Sequence, residues 1–338
     1  MMRCIITIDA GTTNTRAALF DGEQKLLGIE KREIGVRNTA IDGNNQKLKE
    51  AVKSCIDTLM EKNGISFDDV EKILASGMIT SNVGLVEIPH KTAPAGLKDL
   101  AAGITPVLLE EICPLPIHFI PGIKNRNQAV TLDNYEEMDI MRGEETESMA
   151  MLSMLPKGRP ILLVLPGSHM KFVAVNAEGQ VTGCLTSISG ELLSVITNNT
   201  IIADAVGHRF VSADTYDKTY LLAGYRNAAA TGLGRACFSC RILNQFTEKD
   251  PDKLANYILG AVLESDVAAL KNSSAIRAGK DTLMVVAGKE PLQTAIADIL
   301  REDGSFGGVE IFCAETAVPL SSLGAFLISR ENGVLGAH

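Results

Sequence analysis

The apolar positions of this chain come first in short runs and later at helical spacing. Residues 3–10, 15–21 and 25–34 read as three consecutive strands, the first of them buried. Residues 46–62 repeat apolar side chains with the period of a helix and stop at Asn63-Gly64. A strand is predicted at 71–76, a short helix at 96–103, a short strand at 117–120, a polar irregular stretch at 124–137 and a helix at 143–154. Pro156, Lys157, Gly158, Arg159 and Pro160 then break the pattern, and a second set of strands begins at 161. Further helices are expected near 190–203, 214–246, 252–271, 291–302 and 318–330, with strands at 282–288 and 309–313. Strand hairpins followed by alternating strands and helices predict an α/β fold of mixed sheets with helices on both faces.

The first hairpin, ITIDAGTTNTRAALFDG (6–22), places Asp9 at a strand end and Gly11, Thr12 and Thr13 in the turn after it. Glycine lets a backbone approach a ligand closely, and the turn's amides and hydroxyls suit phosphate oxygens. A carboxylate beside them suits Mg2+, which is held by one or two carboxylates together with substrate phosphates. The hairpin recurs at 161–184, ILLVLPGSHMKFVAVNAEGQVTGC, where Gly167 matches Gly11, Ser168 matches Thr12 and Lys171 matches Arg16. Leu165 fills the place of Asp9, so metal handling is assigned to the first copy. Two copies imply two similar lobes with a nucleotide between them. The boundaries read as 1–157 for an N-terminal lobe, 158–325 for a C-terminal lobe, and 326–338 for an end that packs back near the first lobe.

Composition narrows the partners. The 338 residues are 46% hydrophobic and 22% charged, which supports two well-filled domains. The net charge of −9 and the lack of a basic stretch argue against nucleic acid. No apolar run has the length of a membrane span, and the start does not read as a signal peptide, so a cytoplasmic protein with no membrane partner is expected. Seven scattered cysteines fit reduced thiols; Cys237-Phe-Ser-Cys240 is read as structural, with metal or redox use as the alternative.

The Asp-x-Gly-Thr-Thr hairpin resembles the first phosphate loop of the actin/hexokinase/Hsp70 ATPase superfamily. The segments SGMITSNVGLVEIPHKTAPAG (76–96), DIMRGEETESMAML (139–152) and LPGSHMKFVAV with its continuation to 202 resemble the 2-dehydro-3-deoxygalactonokinase family. The resemblance implies two actin-like (ribonuclease H-like) lobes with an ATP cleft between them. It also implies transfer of a phosphoryl group from ATP to the terminal hydroxyl of a sugar acid, with ATP and Mg2+ as cofactors and a homodimer allowed. Ala10 where the family usually has Trp, and Asn82-Val83 where it commonly has Arg-Gln, are departures that bear on the exact sugar acid.

On this reading Asp9 holds the metal, or caps its own turn. Thr12 and Thr13 bond phosphate or cap the turn, and Arg16 neutralises phosphate or anchors the hairpin. Gly143-Glu144 falls where related sugar kinases carry a Gly-Asp base, so Glu144, with Glu145 next, is the candidate to accept the hydroxyl proton. An acid at a helix start is also explained by the helix dipole. Arg142 is the candidate clamp for the substrate carboxylate, or forms a surface ion pair. Ser81, Asn82 and Glu87 are candidates to read sugar hydroxyls, and His90 is read as structural. Gly167, Ser168, His169 and Lys171 form the second phosphate turn, although Lys171 could instead face solvent from its strand. Glu191 either reads a substrate hydroxyl or caps its helix, and Gly288 after Ala287 resembles the adenosine loop. A kinase for another sugar or sugar acid, and an ATP-binding regulator without substrate, are the competing readings; the regulator predicts cysteine clusters or long insertions.

Overall fold

A computed structural model describes residues 3–126, 128–314 and 318–331. The chain runs β1 (Cys4–Ala10), β2 (Thr15–Phe20), β3 (Leu26–Arg32), α1 (Val36–Asp42), α2 (Gln46–Asn63), β4 (Val70–Gly77), β5 (Lys91–Thr92), α3 (Leu97–Ala101), β6 (Thr105–Val107), β7 (Ile117–Phe119), β8 (Ile123–Lys124), β9 (Ile140–Met141) and α4 (Glu144–Met154). It continues as β10 (Ile161–Leu165), β11 (Met170–Val175), β12 (Val181–Ser187), α5 (Ser189–Asn199), α6 (Lys218–Thr231), α7 (Leu233–Phe246), α8 (Pro251–Asn272), β13 (Leu283–Val286), α9 (Leu292–Asp303), β14 (Val309–Ile311) and α10 (Leu320–Glu331).

The two main sheets share one topology. Their strand orders are β3-β2-β1-β4-β7-β6 and β12-β11-β10-β13-β14. In each, a three-stranded antiparallel meander is extended on the far side of its first strand by two parallel strands, and in the first sheet β6 adds an antiparallel edge beside β7. This is the ribonuclease H-like arrangement, present twice. The central strands are nearly continuous apolar runs because helices cover both faces, so neither face can afford polar side chains. One core lies between the first sheet and α2, whose Leu48, Val52, Cys55, Ile56 and Leu59 share a face. A second joins β10, β11 and β13 to α5, α6, α8 and α9. The third is common to both sheets: Ile5 and Leu74 pack with Leu163 and Val173 around α4 and α10.

Helix α10 returns to the first sheet, taking in residues from Leu320 onward; the Phe20 and Phe326 rings pack at a tilt with centroids 5.6 Å apart. A side chain at Gly324 would strike the Thr146 carbonyl at 1.8 Å, so α10 and α4 touch backbone to backbone. Residues 332–338 of the expected returning end lie outside the described residues.

Other differences from the sequence expectation have local causes. The helix expected at 214–246 breaks into α6 and α7 at Gly232, whose φ of +81° no helix residue adopts. The stretch expected to be irregular is bracketed by β8 and β9, which pair with each other and with β5 in a small third sheet. That sheet lies along the free edge of β12. Ala95 pairs with Val181, Asn125 exchanges side-chain bonds with the Cys184 backbone, and Asp139 accepts from the Thr186 amide. An edge strand that would otherwise expose unpaired backbone groups is thereby covered by the first lobe.

Candidate active site

Each of the two turns expected to bind phosphate is backed by a glycine that opens the helix after its meander. Gly11 closes its turn by donating to the Asn14 carbonyl at 2.9 Å, and the Val36 and Arg37 amides of α1 donate to Gly11 and Thr12 at 3.1 and 2.9 Å. A Cβ on Gly35 would meet the Gly11 and Thr12 backbone at 2.5 Å. In the second copy the Glu191 amide donates to Ser168 at 3.1 Å, and a Cβ on Gly190 would meet the Gly167 carbonyl at 2.3 Å. Gly77 and Gly288 are matched too: Gly77 ends β4 and Gly288 lies just after β13, the parallel strand beside each turn, and both have positive φ, +87° and +139°. A side chain at Gly77 would strike Ala10 and the Asp9 carboxylate, and one at Gly288 would press on Pro166. Sequence reading found Gly288 but missed Gly35, Gly77 and Gly190, because what each touches lies a whole element away in sequence.

Asp9 stands opposite Arg16 in the β1–β2 register and accepts a hydrogen bond from Ser321 of α10 at 3.0 Å. Burial raises its proton affinity above the ordinary carboxylate range, the Ser321 bond and Arg16 oppose this, and Glu144 adds to it. Glu147, one turn along α4, is pushed up to about 8 by burial and by the charges of Asp9 and Glu144. Carboxylates that destabilise one another's charge are complementary to a cation. Among the described residues no group of three or more His, Cys, Asp or Glu is placed to hold a metal ion by itself. That donor set fits magnesium, which keeps waters and takes most of its remaining ligands from phosphates. Thr12 and Thr13 are exposed at the turn tip, where Asn14 donates to the Thr13 hydroxyl at 2.8 Å.

Glu144 and Glu145, neighbours in sequence, have separate fates. Gly143, at φ +112°, turns the chain into α4. Glu144 is partly exposed, accepts from the Arg142 amide at 3.1 Å, and lies 4.0 Å from the Lys171 ammonium. Glu145 is fully buried. One of its oxygens accepts from the Gly143 amide at 2.7 Å and the other has no partner. Burial and the adjacent Glu144 push its pKa up to about 8. Successive helix residues diverge by about 100°, so only one of the two can face the cleft. Glu145, expected as the second candidate base, is sealed away from any hydroxyl.

Arg142 also differs from expectation. Its terminal nitrogens donate to the Thr80 carbonyl and hydroxyl, both at 2.6 Å, and to the Ile88 carbonyl at 2.8 Å. The fork expected to clamp a substrate carboxylate instead ties down the 78–90 loop. His90 lies against Arg142 at 3.4 Å; burial and that cation lower its pKa to about 4, so it stays neutral. Ser81 is buried with its hydroxyl donating to Met78, whereas Asn82 and Glu87 are exposed on the loop. Glu191 is not with them: it pairs with His169 at 2.9 Å beside the second phosphate turn. Lys171 is buried and faces the first lobe, neither out to solvent nor to the turn tip. Cys237 and Cys240 lie one turn apart on α7, and burial pushes the Cys240 thiol up to about 12.

The profile of the 2-keto-3-deoxy-galactonokinase family matches residues 9–312, from Asp9 through the last strand. The chain belongs to this family. The 2-dehydro-3-deoxygalactonokinase of Escherichia coli (strain K12) is 25% identical over 268 residues, 79% of this chain and 80% of that relative. A Rhizobium meliloti (strain 1021) relative given the same kinase name is 31% identical over 211 residues, 62% of this chain and 60% of its own length. A crystal structure of a Sinorhizobium meliloti protein, also given that name, superposes with a TM-score of 0.73 at 20% identity, covering 98% of this chain and 99% of that one. The last likeness establishes the shared fold. Membership makes the chain a sugar-acid kinase, and kinase chemistry implies ATP. No helix among the described residues is long and apolar enough to cross a membrane.

Proposed function

We propose that this kinase transfers the γ-phosphoryl group of ATP to the terminal hydroxyl of 2-dehydro-3-deoxygalactonate, giving the 6-phosphate and ADP. The observation that carries the reading is the place of Glu144. Its carboxylate is partly exposed at the start of α4, electrostatically coupled to Asp9 at the first phosphate turn and 4.0 Å from Lys171 on the second hairpin. A hydroxyl bound there meets a base on one side and the phosphate turns on the other. Phosphoryl transfer asks little more of a protein than positioning and charge stabilisation.

In this mechanism the Gly11–Thr13 and Gly167–Ser168 turns cradle the phosphates, and Arg16 stabilises charge beside Asp9. Gly288 shapes the loop at the end of β13 that receives the adenosine. Asp9, with Glu147 nearby, would hold the Mg2+ that accompanies ATP, which would supply charge neutralisation at the transferred group. Glu144 orients the substrate hydroxyl and accepts its proton. Asn82 and Glu87, exposed on the loop braced by Arg142, read the hydroxyls of the sugar acid. The lobes 1–157 and 158–325 close over the pair, which keeps water from competing as acceptor.

The test is ADP release with Mg-ATP against a panel of sugar acids and neutral sugars, alongside Glu144→Gln. Turnover restricted to 2-dehydro-3-deoxygalactonate and lowered about 10²- to 10⁴-fold in the variant supports substrate and base together. Turnover with a different sugar acid replaces the substrate, and an unaffected Glu144→Gln variant removes the base.

A further inference from the structure

The duplicated hairpins differ in what their equivalent cations can reach. In the first, Arg16 stands opposite Asp9 across β1 and β2. In the second, Lys171 stands opposite Leu165 across β10 and β11, so the local carboxylate is gone. A buried ammonium without a counter-charge is costly, and this one finds its partners across the lobe boundary. Lys171 donates to the Ile140 carbonyl of β9 at 2.9 Å and to the Thr186 hydroxyl, with Asp139 at 3.9 Å and Glu144 at 4.0 Å. Its side chain is 7% exposed. Asp139 closes the network by accepting from the Thr186 amide at 2.5 Å and hydroxyl at 2.9 Å.

We propose that Lys171 and Asp139 are positioning residues that fasten the strand carrying the base to the hairpin carrying the second phosphate turn. β9 runs straight into Arg142, Gly143 and Glu144, while Lys171 follows Gly167 and Ser168 by a few residues. Ile140 and Asp139 are therefore held to β11 and β12 at the point from which Glu144 is launched. The nucleotide turn and the base are set at a fixed spacing by this lock, which is distinct from a direct contact between Lys171 and phosphate. An ammonium has three donors; here two are used within the network, and the two carboxylates lie at 3.9 and 4.0 Å. The inference rests on Glu144 being the base.

The experiment uses the full chain with Mg-ATP and 2-dehydro-3-deoxygalactonate, and compares wild type, Lys171→Met, Asp139→Asn and Glu144→Gln. ATP binding is measured separately with a fluorescent ATP analogue. Misplacing the base predicts that kcat falls about 30-fold in Lys171→Met, with a smaller fall in Asp139→Asn, while the analogue's Kd and KM for ATP stay within about threefold. A purely structural lesion would instead weaken binding and rate together. An analogue Kd raised about tenfold with kcat retained would make Lys171 a phosphate ligand and overturn the proposal, as would a kcat within twofold of wild type. Should Lys171→Met fail to fold, Thr186→Val keeps the charge, removes the shared hydroxyl and is held to the same split. Loss of rate in Glu144→Gln with retention in Lys171→Met sinks the lock alone; full rate in Glu144→Gln sinks the base on which it rests.

Discussion

Gly190→Ala isolates how tightly the Gly167–Ser168 turn, proposed to hold phosphate, is gripped. The new methyl carbon would sit 2.3 Å from the Gly167 carbonyl oxygen and 2.7 Å from the Ser168 Cα and carbonyl oxygen, all backbone atoms. Ordinary contact begins at 3.4 Å, so the turn must retreat by about 1 Å, a displacement that at a reacting centre costs about 10²-fold in rate. That loss corresponds to about 2.7 kcal/mol of transition-state stabilisation. Helix propensity works the other way, since alanine is better than glycine inside a helix by about 1 kcal/mol. Gly234→Ala provides the matched control. Gly190 is the second residue of α5 and Gly234 the second of α7, and a Cβ at Gly234 meets nothing within 4 Å. Both substitutions carry similar propensity and unfolded-chain effects, so their difference reports the steric push. Kcat/KM for ATP from coupled ADP release, with thermal melts run in parallel, should show Gly234→Ala at wild-type activity and Gly190→Ala down about 10²-fold while still folded. A folded Gly190→Ala protein with kcat/KM within threefold of wild type would refute the idea that this glycine sets the turn.

Two further outcomes follow from the carboxylate cluster. Ser321→Ala removes the hydrogen bond to Asp9, and bonds to charged groups contribute about 1.5–3 kcal/mol. The Mg2+ concentration for half-maximal rate should rise about tenfold or more, and an unchanged Mg2+ titration would exclude Ser321 from the site. Glu145→Gln tests linkage. Burial and Glu144 raise Glu145 from 4.5 to about 8 in the folded protein, so the native state holds a proton that the unfolded chain releases across that window. Its contribution is complete below pH 4.5 and is lost as pH rises through 8. Nucleotide-free wild type should lose melting temperature from pH 5 to 8 more steeply than Glu145→Gln, in which Asp9, Glu147, Glu264 and Asp266 still have raised proton affinity; parallel slopes would show that Glu145 is ionised throughout.

What could be read from the sequence follows a physical line. The hairpins were legible because strand, glycine turn and strand are consecutive, and each carries its signal within a few residues. The doubled sheet topology follows from the two meanders and their later parallel strands, and Glu144 was legible as an acid opening a helix just before the second meander. The Glu144–Glu145 choice was not, because it depends on which way Gly143 turns the chain, and a positive φ leaves no mark beyond the glycine itself. Arg142 misled for a similar reason: guanidinium chemistry announces a carboxylate, but the fold brings carbonyls of Thr80 and Ile88 within its reach. Lys171 could be matched to Arg16 by offset, yet the match conceals the change of partner caused by one apolar substitution, Leu165 for an aspartate.

Ser321 is the extreme case. It reaches Asp9 from the opposite end of the chain, and a serine early in a helix gives no hint of that destination. The close approach of α10 to α4 permits it, through Gly324 lying against Thr146. The first lobe is thus completed by a helix that follows the second in sequence, and Asp9 takes its hydrogen bond from that helix. The surroundings of Asp9 therefore depend on α10, and a protein truncated before Leu320 should keep the Gly11–Thr13 turn while losing the hydrogen bond that tunes Asp9.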